Sequence, residues 1–440
     1  MTSTRVVVIG GGPGGYSAAL AASRGGASVT LIEADKPGGH CVNYACVPTG
    51  IMLSAIRPFL EGQELAMMGI ADVGADLDWG RAVARKNTLV SRMTAAIATA
   101  LKIAKVNVVE GYGTFVDAHT IAVSPRLGNR FEIPADAVII ATGAKWATPA
   151  IGGVHASKVR TADQIHGDSS FPATVLVLGT GPARTSFAVE YAYMLAAAGS
   201  IVTFVAGSSV VAGLDDDLDP IARSVLTTLG VTLVDSIPID SSVFEVVVVA
   251  DPRVPNMTSC LPANAGVRTN ENIAIDDFAR TNISHIYAVG DVAGGTMLSS
   301  AASHMGEIAG ANAAGGNERI RASAAPHLLH TLPEIGWIGT SESSARASGH
   351  DVVTAFVDLT WSARAITLGG REGLLKLVAE RTYGQILGVH IVGPDAAEIL
   401  AISALAMQSE LTLDDLAAVT HWHPSASESL AAAARQALTS

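Results

Sequence analysis

Cysteine is scarce in this chain, with three residues in 440: Cys41, Cys46 and Cys260. That count excludes the multi-bridge framework of small secreted domains, and a close pair in a cysteine-poor chain favours redox chemistry or metal binding over stapling. A zinc site needs further ligands nearby, and only His40 is offered, so no metal is expected. Charge is thin as well. Asp, Glu, Lys and Arg make up 15% of the residues and the formal net charge of −12 is spread along the chain, which argues against a nucleic-acid partner. No long uninterrupted apolar run occurs, since stretches such as 93–109 carry lysines, and no membrane span is expected. Residues 1–5 lead straight into the apolar run Val6–Ile9 with no room for a charged leader and cleavage site, so a cytoplasmic location is expected. Aromatics are only 5%, whereas 44 glycines in an Ala/Val-rich background suit α/β domains whose small residues let helices approach sheets. The length allows two or three such domains.

What the chain does have is short β-branched runs that end in glycine. Val6–Ile9 leads into Gly10-Gly11-Gly12-Pro13-Gly14-Gly15 and an alanine-rich helical stretch, 17–24; a second run, Val29–Ile32, ends at Glu33, 18 residues beyond Gly15. Strand, glycine turn, helix and acid come in the order a dinucleotide site requires. Gly10 permits the tight turn, Gly12 lets backbone approach a pyrophosphate, Gly15 allows close helix packing, and Glu33 can bind a ribose hydroxyl. The helix N-terminus adds N–H donors and a positive dipole end.

Residues 81–105 carry helical periodicity, 106–123 read as strands turning at Asp117, and Ala137–Ile140 is a buried strand ending in Ala141-Thr142-Gly143. The pattern then restarts with Val175–Leu178, Gly179-Thr180-Gly181, a helix over 186–198 and the strand Ile201–Val205. A strand from Ile286 ends at Gly290-Asp291, before a small-residue helix over 298–313. Beyond 325, strands over 351–357, 374–378 and 386–391 are followed by helices over 396–408 and 413–418. The expected fold is α/β: a first Rossmann-like domain from 1–148 and 259–321, a shortened second one over 149–258, and a C-terminal α+β domain over 322–440.

Four segments together resemble the flavoprotein disulfide reductases, the family of dihydrolipoamide dehydrogenase, glutathione reductase and mercuric reductase. They are the first glycine turn with Glu33, Cys41-Val42-Asn43-Tyr44-Ala45-Cys46-Val47-Pro48, Tyr287-Ala288-Val289-Gly290-Asp291, and the terminal His421-x-His423-Pro424-x-x-Ser427-Glu428. The resemblance covers nearly the whole chain. It implies FAD as cofactor, held by Gly10, Gly12, Gly15, Glu33, Gly143 and Asp291, the last against the ribityl chain. It also implies a redox-active Cys41–Cys46 pair, with Cys46 facing the flavin and Cys41 exchanging with substrate. His423 would be the acid/base oriented by Glu428, and a two-fold homodimer would send that histidine into its partner's active site.

Those residue types suit the chemistry. Disulfide exchange proceeds by thiolate attack, so a proton must be carried near neutral pH, and histidine carries it with a carboxylate fixing its tautomer. Five residues of ideal helix advance about 7.5 Å and end on another face, poor geometry for a bridge whose Cα atoms lie within about 7 Å. The first helical turn around the cysteines is therefore expected to be distorted. His421 reads as structural and Cys260 as an inert thiol. His40, where the family usually has threonine, is either a spectator or a local influence on Cys41.

The departures from the family pattern cluster on the nicotinamide side. After Gly179-Thr180-Gly181 comes Pro182-Ala183-Arg184, so Arg184 replaces the third glycine of the cradle, and the spacing of Glu190 makes that loop too long. The strand Ile201–Val205 runs into Ala206-Gly207-Ser208-Ser209, without an acid for a ribose or an arginine for a 2′-phosphate. The stretch 231–249 is too short for the family's antiparallel meander, Arg253-Val254-Pro255-Asn256 is preceded by Pro252 instead of glycine, and Gly50 replaces a lysine. The expected activity is FAD-dependent oxidation of a small-molecule or carrier-bound dithiol to a disulfide, with little or no use of NAD(P)H. The alternative is a conventional NAD(P)H-dependent disulfide reductase or dihydrolipoamide dehydrogenase.

Overall fold

A computed structural model describes residues 3–70, 77–147, 151, 154–167, 171–179, 186–207, 209–238, 240–250, 252–320, 325–370 and 372–440, with the side chains of His166 and Ser186 outside that description. The chain divides into two compact units, one of Met1–Ile51, Val83–Ala147 and Arg253–Ala322, the other of Met52–Ala82, Thr148–Pro252 and Ser323–Ser440.

β1 (Arg5–Ile9), α1 (Pro13–Arg24) and β2 (Ser28–Glu33) form the βαβ start. The β-branched Val6-Val7-Val8-Ile9 run is buried and pairs in parallel with β2, the setting in which such side chains pack best. The cysteines fall on two helices, α2 (Gly39–Asn43) and α3 (Cys46–Met67). α4 (Trp79–Ile103) leads to β3 (Asn107–Asp117), β4 (Thr120–Pro125) and β5 (Phe131–Pro134), after which β6 (Ala137–Ile140) rejoins the sheet and β7 (Ala144–Trp146) leaves it.

The second dinucleotide-type region contains β8 (Val159–Thr161), β9 (Thr174–Leu178), α5 (Ser186–Ala197), β10 (Ile201–Val205), α6 (Asp219–Thr227), β11 (Thr232–Val234) and β12 (Val246–Val249). Its strands make an all-parallel sheet in the order β11-β10-β9-β12-β8. Among the described residues between β11 and β12 there is no strand.

β13 (Arg253–Pro255) then pairs antiparallel with β7, setting Arg253 opposite Trp146. β14 (Ile286–Ala288) completes the first sheet in the order β14-β6-β1-β2-β3-β4-β5, parallel as far as β3. β1 lies between β2 and β6, so the glycine turn opens at a reversal of strand order, where doubly wound sheets bind ligands. α7 (Ser299–Ala313) packs on α1 so closely that a Cβ on Gly306 or Gly310 would stand 2.2 Å from the Gly14 or Ala18 carbonyl oxygen.

The C-terminal part comprises β15 (His327–Leu329), β16 (Glu334–Gly339), α8 (Glu342–Ala347), β17 (Val352–Asp358), α9 (Ala363–Thr367), β18 (Leu374–Glu380), β19 (Ile386–Gly393), α10 (Ala396–Gln408), α11 (Leu413–Ala418) and α12 (Glu428–Ala437). The sheet is antiparallel throughout, in the order β15-β16-β19-β18-β17. Leu430, Ala433 and Ala434 of α12 share a core with Leu375, Leu377 and Ile391, which seats that helix against the sheet. No helix among the described residues is long and apolar enough to cross a membrane.

Candidate active site

The distorted turn expected around the cysteines takes the form of a break between two helices. α2 starts after Gly38, at φ +98°, and ends at Tyr44, at φ −137°; Cys46 is then the first residue of the 22-residue α3. Asn43 secures the break, its Nδ2 donating to the carbonyls of Pro37 at 3.2 Å and Gly39 at 2.9 Å while Thr94 Oγ1 donates to its Oδ1 at 2.7 Å. Cys46 thereby gains the positive end of a helix dipole, which favours negative charge there.

Both cysteines carry thiols in this structure. The hydrogen bond with Cys46 holds the Cys41 thiol below its ordinary pKa; burial works against this shift, and Ser299 with the nearby Arg253 guanidinium reinforces it. Cys260 behaves in the opposite way: burial pushes its thiol up to about 12, as suits an inert core cysteine.

The glycine turn is built by exclusion. Gly10 has φ +102°, and a Cβ there would meet Ala141 O at 2.3 Å. A Cβ on Gly15 would stand 1.9 Å from Gly10 O, whereas one on Gly12 would meet nothing nearer than 4.0 Å. Glu33 braces the turn, with Oε2 accepting from Gly11 N–H at 2.5 Å and Oε1 from Asp35 N–H at 2.7 Å; burial raises its pKa. Gly143, at φ +68°, accepts from the Asn256 N–H at 2.8 Å. Asp291 pairs with Arg253 at 2.7 Å, although its burial still raises its pKa.

Near the C-terminus His423 Nδ1 lies 3.0 Å from Glu428 Oε1 and 3.2 Å from Oε2, and Ser425 N–H donates to the same carboxylate at 3.0 Å. The His423 side chain is 71% exposed. His421 Nδ1 is occupied by Ser427 Oγ at 3.0 Å. The cysteine pair and the His/Glu pair are thus each assembled, in different units of the fold.

Comparison with known proteins adds a decisive observation. The pyridine nucleotide-disulphide oxidoreductase profile matches residues 4–238 and 240–306, and the dimerisation-domain profile of the same family matches 325–434. The chain belongs to this family. Dihydrolipoyl dehydrogenase 2 of Haloarcula marismortui is 33% identical over 99% of this chain and 97% of its own, and dihydrolipoyl dehydrogenase of Mycobacterium tuberculosis is 32% identical over 98% and 97%. Among solved structures, LpdA of M. tuberculosis superposes with a TM-score of 0.88 at 26% identity, covering 98% of this chain and 99% of that one. The Cu(II) complex of the flavoprotein disulfide reductase RclA from Escherichia coli superposes at 0.86 and 25% identity, covering 99% and 100%.

The protein is therefore a flavin-dependent oxidoreductase acting on a sulfur group, with FAD as its cofactor. Its residues fit that group. The turn stays open at Gly12, a cavity of about 480 Å³ lies beside Glu33 with Lys102, Lys105 and Asn107 in its wall, and the buried Arg253 Nε–H has no partner among the described residues. Sequence reading missed Arg253 as a site residue, although its Arg-x-Pro-Asn frame was visible, and it missed Trp146 and Ser299, for which no local signal exists.

The second dinucleotide region in this disulphide oxidoreductase differs from the first. The loop residues Thr180, Gly181, Pro182, Ala183, Arg184 and Thr185, read from the sequence as an altered cradle, lie outside the described residues. The segment 206–210 that follows β10 holds neither acid nor arginine of its own, but one of each reaches it from α6. Asp219, on α6, accepts from Val210 N–H at 2.8 Å and Ser209 Oγ at 3.1 Å, and Arg223 donates to Gly207 O at 3.4 Å. Both side chains arrive from the following helix, so reading the strand end alone could not find them. They are bound to each other, Arg223 Nε to Asp219 Oδ2 at 2.5 Å. Glu190 is likewise engaged: it accepts from the His330 backbone N–H and pairs with the His330 ring, both at 2.9 Å, and this bond raises the His330 pKa.

Proposed function

We propose that this enzyme oxidises a small-molecule or carrier-bound dithiol to a disulfide through Cys41 and Cys46, with little or no use of NADH or NADPH. The observation that carries this reading is the contrast between the two βαβ starts. In the first, the acid ending β2 braces an open glycine turn; in the second, the acid that reaches the segment after β10, Asp219, is already bound by Arg223, Ser209 and Val210.

Gly10, Gly12, Gly15, Glu33, Gly143 and Asp291 would hold FAD, which when bound removes an electron pair from the dithiol and delivers it to oxygen or another acceptor. With Cys41 and Cys46 joined, a substrate thiolate attacks Cys41 Sγ, and Cys46 leaves as a thiolate at the N-terminus of α3. The second substrate thiolate then attacks the substrate sulfur of the mixed disulfide, closing the product and releasing Cys41 as a thiolate. In a homodimer, His423 of the partner subunit takes the substrate thiol's proton, oriented by its Glu428. The exposure of His423 and the match to the dimerisation profile support that arrangement.

A conventional NAD(P)H-linked reductase or dihydrolipoamide dehydrogenase is the second reading, favoured by Arg223 at the end of β10 and by the names of the relatives. Anaerobic titration of the FAD-loaded protein separates the two. Bleaching of the flavin by dihydrolipoamide with no response to NADH or NADPH is expected. Reduction by either nicotinamide with an affinity of about a micromolar sinks the first reading and establishes the second.

A further inference from the structure

His40 stands directly before Cys41, and its ring is engaged by a residue 106 positions away. An indole nitrogen carries a proton and offers no lone pair, so at 3.1 Å Trp146 Nε1 donates to His40 Nε2. A ring nitrogen that accepts cannot also be protonated, which puts the proton of the neutral imidazole on Nδ1. Protonating Nε2 would set two N–H groups against each other. It would also add a positive charge near the Arg253 guanidinium, which lies 5.6 Å over the Trp146 ring.

We propose that Trp146 locks His40 as the neutral Nδ1–H tautomer, making it a positioning residue for Cys41 and not a second base for the dithiol. The contact ties α2, and the exchange thiol on it, to the β7/β13 ribbon. Cys41 then titrates as if no ionisable histidine adjoined it, and acid–base work is left to His423. This rests on the reading above only in taking Cys41 as the exchanging sulfur.

Among the described residues, several other titratable and charged groups stand around this corner, Glu33 and Arg126 acting on Tyr44 among them. Cys41 and, at 6.1 Å between ring centroids, Tyr44 belong to the cysteine helix and its end; Cys46 opens α3, and Tyr16 of α1 interacts electrostatically with Cys41. Asp35 accepts from the Tyr44 hydroxyl, and Lys36 lies 5.9 Å over the same ring. Arg253 of β13 and Asp291 of the turn after β14 face each other at 2.7 Å and cancel in charge. Of these carboxylates, Asp35 is paired with Arg126 at 3.5 Å and Asp291 with Arg253.

The test uses the reduced, FAD-loaded protein with isotope-labelled histidine, the His40 signals being assigned by their loss in His40→Thr. The Nδ1–H shift pattern should persist from about pH 6 to 8, and the pH profile of iodoacetamide alkylation of Cys41, located by mass spectrometry, should show no histidine inflection over that range. Trp146→Phe keeps a ring under Arg253 but removes the donor. In it His40 should titrate and the alkylation profile should gain an inflection near about pH 6.5, which the double variant with His40→Thr removes. A native His40 that is Nε2–H or titrates in this range overturns the proposal, as does a folded Trp146→Phe protein indistinguishable from native. Should that variant not fold, the native tautomer decides alone. Neither readout uses turnover, so failure of the lock is distinguishable from failure of the dithiol-oxidising reading.

Discussion

The His423–Glu428 pair is the clearest place to test a single side chain. Glu428 is held below the ordinary carboxylate range first by the Ser425 N–H and then by His423. A depressed carboxylate keeps its interaction above its unfolded pKa and loses it only as pH falls through the lowered value. The orientation of His423 should therefore persist through neutral and mildly acidic solution, and the acid limb of the activity should not come from Glu428. Glu428→Gln keeps the shape but frees the ring to turn. It should lower dithiol turnover about 10-fold or more while leaving the FAD content unchanged, as stopped-flow reduction and flavin absorbance would report. Equal turnover in the two proteins would remove Glu428 from the mechanism. At this scale the local motifs exposed Cys41, Cys46, His423 and Glu428, because each pair lies within a few residues. Arg253 and Trp146 escaped because they face each other only through cross-strand register.

The first glycine turn separates packing from binding at the scale of an element. Gly15→Ala drives a Cβ to 1.9 Å from a backbone oxygen, which cannot move without the turn itself. A destabilisation of about 1–3 kcal/mol is expected, seen as a lower Tm together with lost flavin. Gly12→Ala meets nothing nearer than 4.0 Å, so the fold should be kept and only FAD affinity lost. If Gly12→Ala retains flavin at the native ratio, the cradle assignment fails. The βαβ periodicity, the long helix ahead of β3 and the helices over 396–408 and 413–418 were readable from pattern alone, since repeating apolar positions encode them. The split between α2 and α3 was foreseen only as a distortion, since where a helix breaks depends on Asn43 finding the carbonyls of Pro37 and Gly39.

In the unit that combines the second parallel sheet with the antiparallel one, Lys376 is 1% exposed and reaches Asp215 at 2.8 Å, Asp217 at 2.6 Å and Glu342 at 2.7 Å. Against their burial, this contact raises the Lys376 pKa and lowers that of Asp215, which also accepts from the backbone of Glu342 and Asp217. The sign of each shift sets the window. The lysine contribution is present below its unfolded pKa of about 10.4 and is lost as pH rises through the higher folded value. The Asp215 contribution is present above about 3.9 and is lost as pH falls through the lowered one. Lys376→Ala leaves a buried carboxylate uncompensated, at a cost of about 3–5 kcal/mol. Thermal melts at neutral pH should show a drop of several degrees, smaller near pH 4 where the carboxylates begin to protonate. A Tm unchanged at neutral pH would show that the cluster contributes nothing net.

The sequence by itself determined the α/β class, the two strand–helix–strand units, the cysteine pair and the terminal His/Glu pair, because each is written in short-range spacing that strands, turns and helices impose. Only the tertiary structure decided that Asp219 and Arg223 reach the end of β10, that Glu190 is claimed by His330, that Arg253 meets Asp291, and that Trp146 bonds to the ring beside Cys41. Those contacts join segments up to 140 positions apart. They are fixed by strand register and helix packing, and no local pattern of residues records them.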